Sequence, residues 1–365
     1  MDKQQLVISF PHMGNYGVLI KALFEDLFPN QKVMAAPPIT LKTLELGSKY
    51  SPDFVCSPFK YNMGNYIESL QAGANVLLQT GMGCRYGYYG EVQEQILKDL
   101  GYDFEFLCFA RDNAKPNSVY RTLRRLGCSL SIREILHALL LTWERLRILD
   151  TFEYYMRENM GFETEPGSFE KLHQSLLKEL GVADSSLALQ KIRNQYFRAA
   201  QSLPLNKSGE ILRVGVIGEL YTLMEPYSNF YLEKQLAQRN ICVSRAMSVS
   251  FLLFGKNDKS SLRKSRGYLK YTVGANGVDS VCQAKQYAKQ GYDGIIHMKS
   301  FGCIPELNAM PSLTRLEHDY DMPILHLSFD ANTSEVGVET RLEAFADMIA
   351  MRRENAYGRA RVSGG

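Results

Sequence analysis

Short apolar runs alternate along the chain with stretches in which apolar residues recur every three or four positions. Leu6-Val7-Ile8-Ser9-Phe10 is such a run, and Gly17 to Phe28 follows it with Leu19, Leu23, Leu27 and Phe28 at helical spacing. Lys32-Val33-Met34-Ala35, Ala74-Asn75-Val76-Leu77-Leu78-Gln79 and Phe104-Glu105-Phe106-Leu107-Cys108 predict three more strands, with helices over 41–46, 65–71 and 89–100 between them. Val55-Cys56-Ser57-Pro58-Phe59-Lys60 reads as a loop. Strands alternating with helices of this length indicate a parallel α/β sheet.

The pattern changes at about Ser131. Ile132, Ile135, Leu139, Leu146 and Leu149 predict one or two long helices as far as Gly161, and two more follow over 169–180 and 187–203. Asn206-Lys207-Ser208-Gly209-Glu210 reads as a linker. The strand–helix rhythm then returns. Strands are expected at Leu212 to Ile217, Ile241 to Ser244, Gly294 to His297 and Pro323 to Ser328, with helices over 230–239, 279–290 and 339–353. In each half the third strand is followed within a few residues by Gly-Cys, at Gly83-Cys84 and Gly302-Cys303. After Cys303 the chain restarts at Pro305, in the manner of a proline-initiated helix.

The chain has 365 residues, 45% of them hydrophobic and 22% charged, enough for two compact domains or three small ones. A net charge of +3 does not argue for nucleic acid. The densest basic run, Lys256 to Lys270, suits a solvated loop or a phosphate-binding edge. No stretch approaches the length of a membrane span, and the first residues lead into a strand and not into a signal peptide, so a cytoplasmic protein is expected.

In a reducing compartment the seven cysteines are not expected to form a disulfide framework. Cys108 and Cys242 lie in apolar strands, Cys282 on a helix and Cys128 at a helix approach, and all four suit buried structural thiols. Cys56, Cys84 and Cys303 stand beside Pro or Gly in loops, where packing does not explain a thiol. A nucleophilic cysteine would need a base, for which His12 and His297 at strand ends are candidates. Three loop cysteines exceed that need, and no C-x-x-C pair points to structural zinc. Ligands bind beyond the carboxyl ends of parallel strands, so facing sheet edges would bring Cys84 and Cys303, with Cys56, to one cleft. Such widely spaced thiols suit an iron–sulfur cluster; three on a four-iron cluster leave one iron open.

Eight runs occur in order: Phe10-Pro11-His12-Met13-Gly14, Cys56-Ser57-Pro58-Phe59-Lys60, Gly83-Cys84-Arg85-Tyr86-Gly87-Tyr88-Tyr89, Gly218-Glu219, Glu225-Pro226-Tyr227-Ser228-Asn229, Gly294-Ile295-Ile296-His297, Phe301-Gly302-Cys303-Ile304-Pro305-Glu306 and Thr340-Arg341-Leu342-Glu343-Ala344-Phe345. Together they resemble the 2-hydroxyacyl-CoA dehydratase superfamily, closest to its stand-alone, activase-related, D-component-like branch. The resemblance implies an α/β fold of two Rossmann-like (flavodoxin-like) domains with short parallel sheets plus a helical segment. The expected divisions are 1–130, 131–205 and 206–365.

It also implies a [4Fe–4S] cluster between the domains, held by Cys56, Cys84 and Cys303. An ATP-dependent activator would inject a low-potential electron, and in the family's dehydratases a ketyl radical formed from the thioester expels the hydroxyl group. No P-loop is present, so the chain is more like the electron-receiving component than the ATPase. Implied partners are that activator or reductase, a related second subunit or a homodimer, and an acyl-CoA or other small molecule. A non-catalytic electron carrier, a double-cubane reductase and a metal-free α/β ligand-binding or transferase protein are the alternatives.

Around these thiols, Arg85, Glu219, His12 and His297 are the candidate catalytic groups, each with an ordinary structural role as its competitor. Pro305 and Glu306 suit the first turn of a helix. The Thr340 to Phe345 run suits a packing helix.

Overall fold

The computed structural model of the chain describes residues 5–79, 84–108, 116–209 and 211–363. Gly81 to Gly83 of the break before Cys84, the first four residues, and Glu210 of the linker lie outside them. The chain divides into two compact units, 1–149 with 174–195 and 150–173 with 196–365.

The first unit threads β1 (Val7–Ser9), α1 (Gly17–Leu27), β2 (Lys32–Met34), α2 (Leu41–Tyr50), α3 (Ser57–Gln71), β3 (Val76–Gln79), α4 (Tyr89–Asp99), β4 (Glu105–Cys108) and α5 (Pro116–Arg125). Its four strands are parallel, in the order β2-β1-β3-β4. Successive strand residues face opposite sides. Val76, Leu78 and Leu107 join Phe28, Leu123 and Leu126 on one side, and Leu77 and Phe106 join Phe59, Tyr66 and Leu97 on the other. Both faces are covered, as helical crossovers between parallel strands require.

Three helices follow, α6 (Ile132–Asn159), α7 (Ser168–Val182) and α8 (Ser186–Gln201), and each runs from one unit into the other. The second unit continues with β5 (Leu212–Gly218), α9 (Leu220–Met224), α10 (Leu232–Ala237), β6 (Ile241–Ser244), α11 (Asp258–Lys264), α12 (Gly277–Lys289), β7 (Gly294–Ser300), α13 (Ile304–Tyr320), β8 (Ile324–Phe329) and α14 (Glu335–Ser363). Its sheet repeats the first, parallel in the order β6-β5-β7-β8.

All eight strands fall where the apolar runs predict them, but β7 continues to Ser300, so His297 lies inside the strand and not at its end as expected. The helices differ more. The stretch read as a loop over 55–60 is helical from Ser57, because Pro58 sits in the first turn, where its missing N–H costs nothing. The helix expected over 230–239 shrinks to six residues, because Phe230 and Tyr231 both hold left-handed backbone, at φ of 55°. Asn229 braces that turn, donating to the Thr222 carbonyl at 2.7 Å and accepting from the Leu232 amide at 3.1 Å.

Two features hold the units' cores in register. In the first, α2 and α3 cross through glycines. A Cβ on Gly64 would lie 1.8 Å from the Thr43 carbonyl oxygen, and one on Gly47 would lie 1.8 Å from that of Lys60. In the second, Glu153 of α6 is buried between Arg157 at 3.2 Å, His173 at 3.1 Å and Arg245 at 3.8 Å. Burial would raise its pKa, but the His173 hydrogen bond and the positive charges of Arg157, His173 and Arg245 bring it down to about 2.

Candidate functional site

In both sheets the chain reverses its direction of winding between the first and third strands. The carboxyl ends of those strands are where open parallel sheets bind ligands. His12 follows β1 and Cys84 follows β3; Glu219 follows β5 and Cys303 follows β7. Four of the residues expected to carry chemistry thus stand at switch points, two in each unit.

The three singled-out cysteines have one local structure in common: each is the residue that begins a helix. Cys56 is the N-cap of α3, Cys84 that of a 3-10 turn over Arg85–Tyr88 that runs into α4, and Cys303 that of α13. Cys56 and Cys303 share the pattern Cys-x-Pro, with the proline in the first helical turn. The first amides of a helix have no intrahelical acceptor, so each thiol lies where the backbone favours negative charge. Cys84 is exposed, and Cys56 and Cys303 are half-buried.

Within the first unit Cys56 and Cys84 reach one cluster of tyrosines. The Cys56 Sγ lies 2.8 Å from the Tyr89 hydroxyl, and the Tyr86 amide donates to Cys84 Sγ at 3.4 Å. The two tyrosine rings are 5.4 Å apart, and Asn62 donates to the Tyr86 hydroxyl at 2.6 Å. Burial, then the neighbouring Cys56, pushes the Tyr89 hydroxyl far above its ordinary range. It therefore keeps its proton at neutral pH and can donate it to the sulfur when Cys56 is a thiolate. The His12 backbone amide donates to Asn65 Oδ1 at 2.7 Å, which fixes the β1 end against α3. Arg85 opens the 3-10 turn and is exposed.

The second unit gathers more titratable groups. Gly218 closes β5 at φ 139°, and a Cβ there would meet the Met298 carbonyl oxygen at 1.7 Å, so β5 and β7 end in close approach. Glu219 then caps α9, accepting from the Tyr221 amide at 2.8 Å and the Thr222 amide at 2.9 Å. Burial raises its pKa, those hydrogen bonds oppose the rise, and the charge of Glu306 adds to it. Glu306 lies in the first turn of α13, where an acid is expected, but its carboxylate does not cap the helix. It is fully buried and bonded to His297 at 2.9 Å, and His297 is in turn 2.9 Å from His326. Burial pushes Lys299 down, while Cys303 and Glu306 pull it back up.

Sequence reasoning missed His326. Its one signal was a second histidine inside a second apolar run, Ile324-Leu325-His326-Leu327, and only the β7–β8 register pairs it with His297. The packing role expected for Thr340 to Phe345 is what α14 performs, with Leu342 and Phe345 buried, and Arg341 also donates to the His326 carbonyl at 2.7 Å.

Of the other four cysteines, Cys108 and Cys242 are half-buried and not buried as expected. Cys128 and Cys282 are buried, and burial raises the thiols of Cys242 and Cys282. Of the basic run, Lys256 turns inward to the Ala275 carbonyl at 2.8 Å and lies 3.8 Å from the buried Asp279, while Lys259, Arg263 and Lys264 are on α11 or its edge. Among the described residues no group of three or more His, Cys, Asp or Glu side chains is arranged to hold a metal ion, and no helix is long and apolar enough to cross a membrane. Cys56 and Cys84 belong to one unit and Cys303 to the other. Compared with known proteins, the chain matches no family model and no curated sequence.

Proposed function

We propose that this chain is an iron–sulfur protein of the 2-hydroxyacyl-CoA dehydratase type, in which Cys56, Cys84 and Cys303 hold a [4Fe–4S] cluster. On this reading its two parallel sheets are Rossmann-like domains, each lending its switch point to the chemistry. The protein accepts low-potential electrons from an ATP-hydrolysing activator and uses them for reductive or radical chemistry on an acyl-CoA or another small molecule.

One observation carries the reading: all three cysteines stand at helix N-caps. What supports the reading is the chemistry of the donors: three thiols at helix starts, where amides stabilise the negative charge of thiolates and of a cluster they would hold. When bound, the cluster supplies one-electron transfer at low potential and an iron with an open position.

The chain's own residues have separable tasks. Tyr89 donates to the Cys56 sulfur, which tempers its charge. Lys299 places a cation within reach of Cys303. Glu219 and Glu306 supply buried carboxyl groups near the carboxyl ends of β5 and β7.

The test is turnover. Protein purified without oxygen is mixed with an ATP-driven reductase and a panel of 2-hydroxyacyl-CoA thioesters. Catalytic loss of water or reduction of the thioester supports the reading. Uptake of electrons without any product would instead identify an electron carrier.

A further inference from the structure

His297 and His326 occupy paired positions on β7 and β8. Their rings meet edge to face, with centroids 5.1 Å apart and planes at 86°, and their Nδ1 atoms are 2.9 Å apart. Two ring nitrogens at hydrogen-bond distance need one proton between them. The second nitrogen of His297, Nε2, is 2.9 Å from Glu306 Oε2. Glu306 and His297 are both fully buried. The outer atoms of the chain, Glu306 Oε1 and His326 Nε2, are also buried and have no hydrogen-bond partner among the described residues.

Two proton arrangements that satisfy both hydrogen bonds without charging an imidazole are related by transfer along the chain. In the first, His297 Nε2–H donates to an ionised Glu306, and His326 Nδ1–H donates to His297 Nδ1. In the second, a protonated Glu306 donates to His297 Nε2, His297 Nδ1–H donates to His326 Nδ1, and His326 carries its other proton on Nε2. The two arrangements differ by one proton overall and by the tautomer of both rings.

We propose that Glu306, His297 and His326 form a buried proton relay, which takes up a proton at His326 Nε2 and delivers one at the Glu306 carboxylate. As the N–H bond forms at His326 Nε2, the Nδ1–H bond of His326 breaks and one forms at His297 Nδ1. The Nε2–H bond of His297 breaks and an O–H bond forms on Glu306. No electrons change hands, and the entering proton comes from water or a hydroxylic ligand at the His326 end. The reverse sequence removes a proton from the Glu306 end.

The surroundings suit a relay better than a structural bridge. A structural bridge has no use for two unsatisfied buried ends, each of which costs stability. Glu219 and Asp279 both feel the charge of Glu306, and Lys299 acts on Glu306 and on His326. Arg341 holds the His326 backbone at 2.7 Å. Burial, then the neighbouring His297, Lys299 and Arg341, holds His326 down at about 4, so the ring passes a proton without keeping a charge. Glu306 is in the first turn of the helix that Cys303 begins, so the delivered proton arrives beside the chemistry proposed above. The relay's purpose rests on that reading, but its existence does not.

The experiment is nitrogen NMR of protein labelled with 15N at its histidines, with solvent exchange of the ring protons followed in D2O. The relay predicts opposite tautomers for His297 and His326 and a coupling across the Nδ1···Nδ1 bond. It also predicts that the ring proton of the buried His297 exchanges ~tenfold or more slowly in His326→Phe than in the unaltered protein, because the route to solvent is cut. Equal tautomers, an imidazolium in either ring at neutral pH, or an exchange rate unchanged by His326→Phe would overturn the proposal. The tautomers are read on the unaltered chain, so equal tautomers overturn the relay even where the variant fails to fold, and His326→Asn, which keeps a polar side chain at the site, supplies a second exchange measurement. Iron-free protein would leave the relay standing, and a failed relay would leave the cluster standing.

Discussion

The Sγ of Cys56 lies 2.8 Å from the hydroxyl of Tyr89, although 33 residues separate them in the chain. Tyr89 is the first residue of α4 and Cys56 the N-cap of α3, so this contact ties two helix starts together. The tyrosine keeps its proton and is the donor when Cys56 is a thiolate. Tyr89→Phe removes that donor with little change of shape. A neutral hydrogen bond contributes about 1 kcal/mol net, which corresponds to somewhat under one pKa unit. The Cys56 thiol should therefore ionise at higher pH in Tyr89→Phe, by roughly half a unit to one unit. The pH dependence of alkylation by iodoacetamide in iron-free protein, with the modified residue identified by mass spectrometry, measures it. An unchanged profile would mean that Tyr89 does not act on this sulfur.

The position of Cys56 depends on how closely α2 meets α3. Gly64→Ala would put a Cβ 1.8 Å from the Thr43 carbonyl, against backbone and not against a side chain that can swing away. The helices must part, at a cost of about 3 kcal/mol. A drop in the thermal midpoint of several degrees is expected, whereas Gly73→Ala meets nothing within 4 Å and is strained only by its φ of 98°. Differential scanning calorimetry on the two variants separates crowding from backbone strain.

Stability should fall in acid in two steps. His326 titrates near its ordinary 6.5 when unfolded but at about 4 when folded. The unfolded chain therefore binds the extra proton first, and stability is lost as pH falls from 6.5 toward 4. Glu153 is depressed to about 2 from 4.5, so its contribution is complete above 4.5 and is lost between there and 2. Glu153→Gln takes the nearest carboxylate from the buried Arg157, while Arg245 keeps Glu233 at 2.9 Å, and should cost about 3 kcal/mol at neutral pH. It should also flatten the lower of the two steps. Urea midpoints at a series of pH values test both statements.

Much of this arrangement was legible in the sequence, and its limits have physical causes. The eight strands were readable because each is a short run rich in apolar residues, and β3 and β7 are buried along their whole length, as in Val76-Leu77-Leu78. The repeat of Gly-Cys after the third strand was readable for the same reason, since it follows from counting strands. The helix starts that follow Cys84 and Cys303 were readable too, but the one at Cys56 was not, because cysteine is outside the residue types that usually cap helices. The prolines at 58 and 305 were the signal, taken at Cys303 and missed at Cys56. The Glu306–His297–His326 chain was hidden more deeply. Its two strand residues meet through a register that no local pattern encodes, and Glu306 had an adequate reading as a first-turn acid.

The most direct test of the central claim is iron and sulfide analysis of the protein purified without oxygen. About four irons and four sulfides per chain are expected. Cys56→Ala, Cys84→Ala and Cys303→Ala should each lose them, and Cys108→Ala, in the β4 strand, should keep them. Colourless, iron-free protein from iron-replete cells, or iron that survives loss of all three N-cap cysteines, would contradict the account.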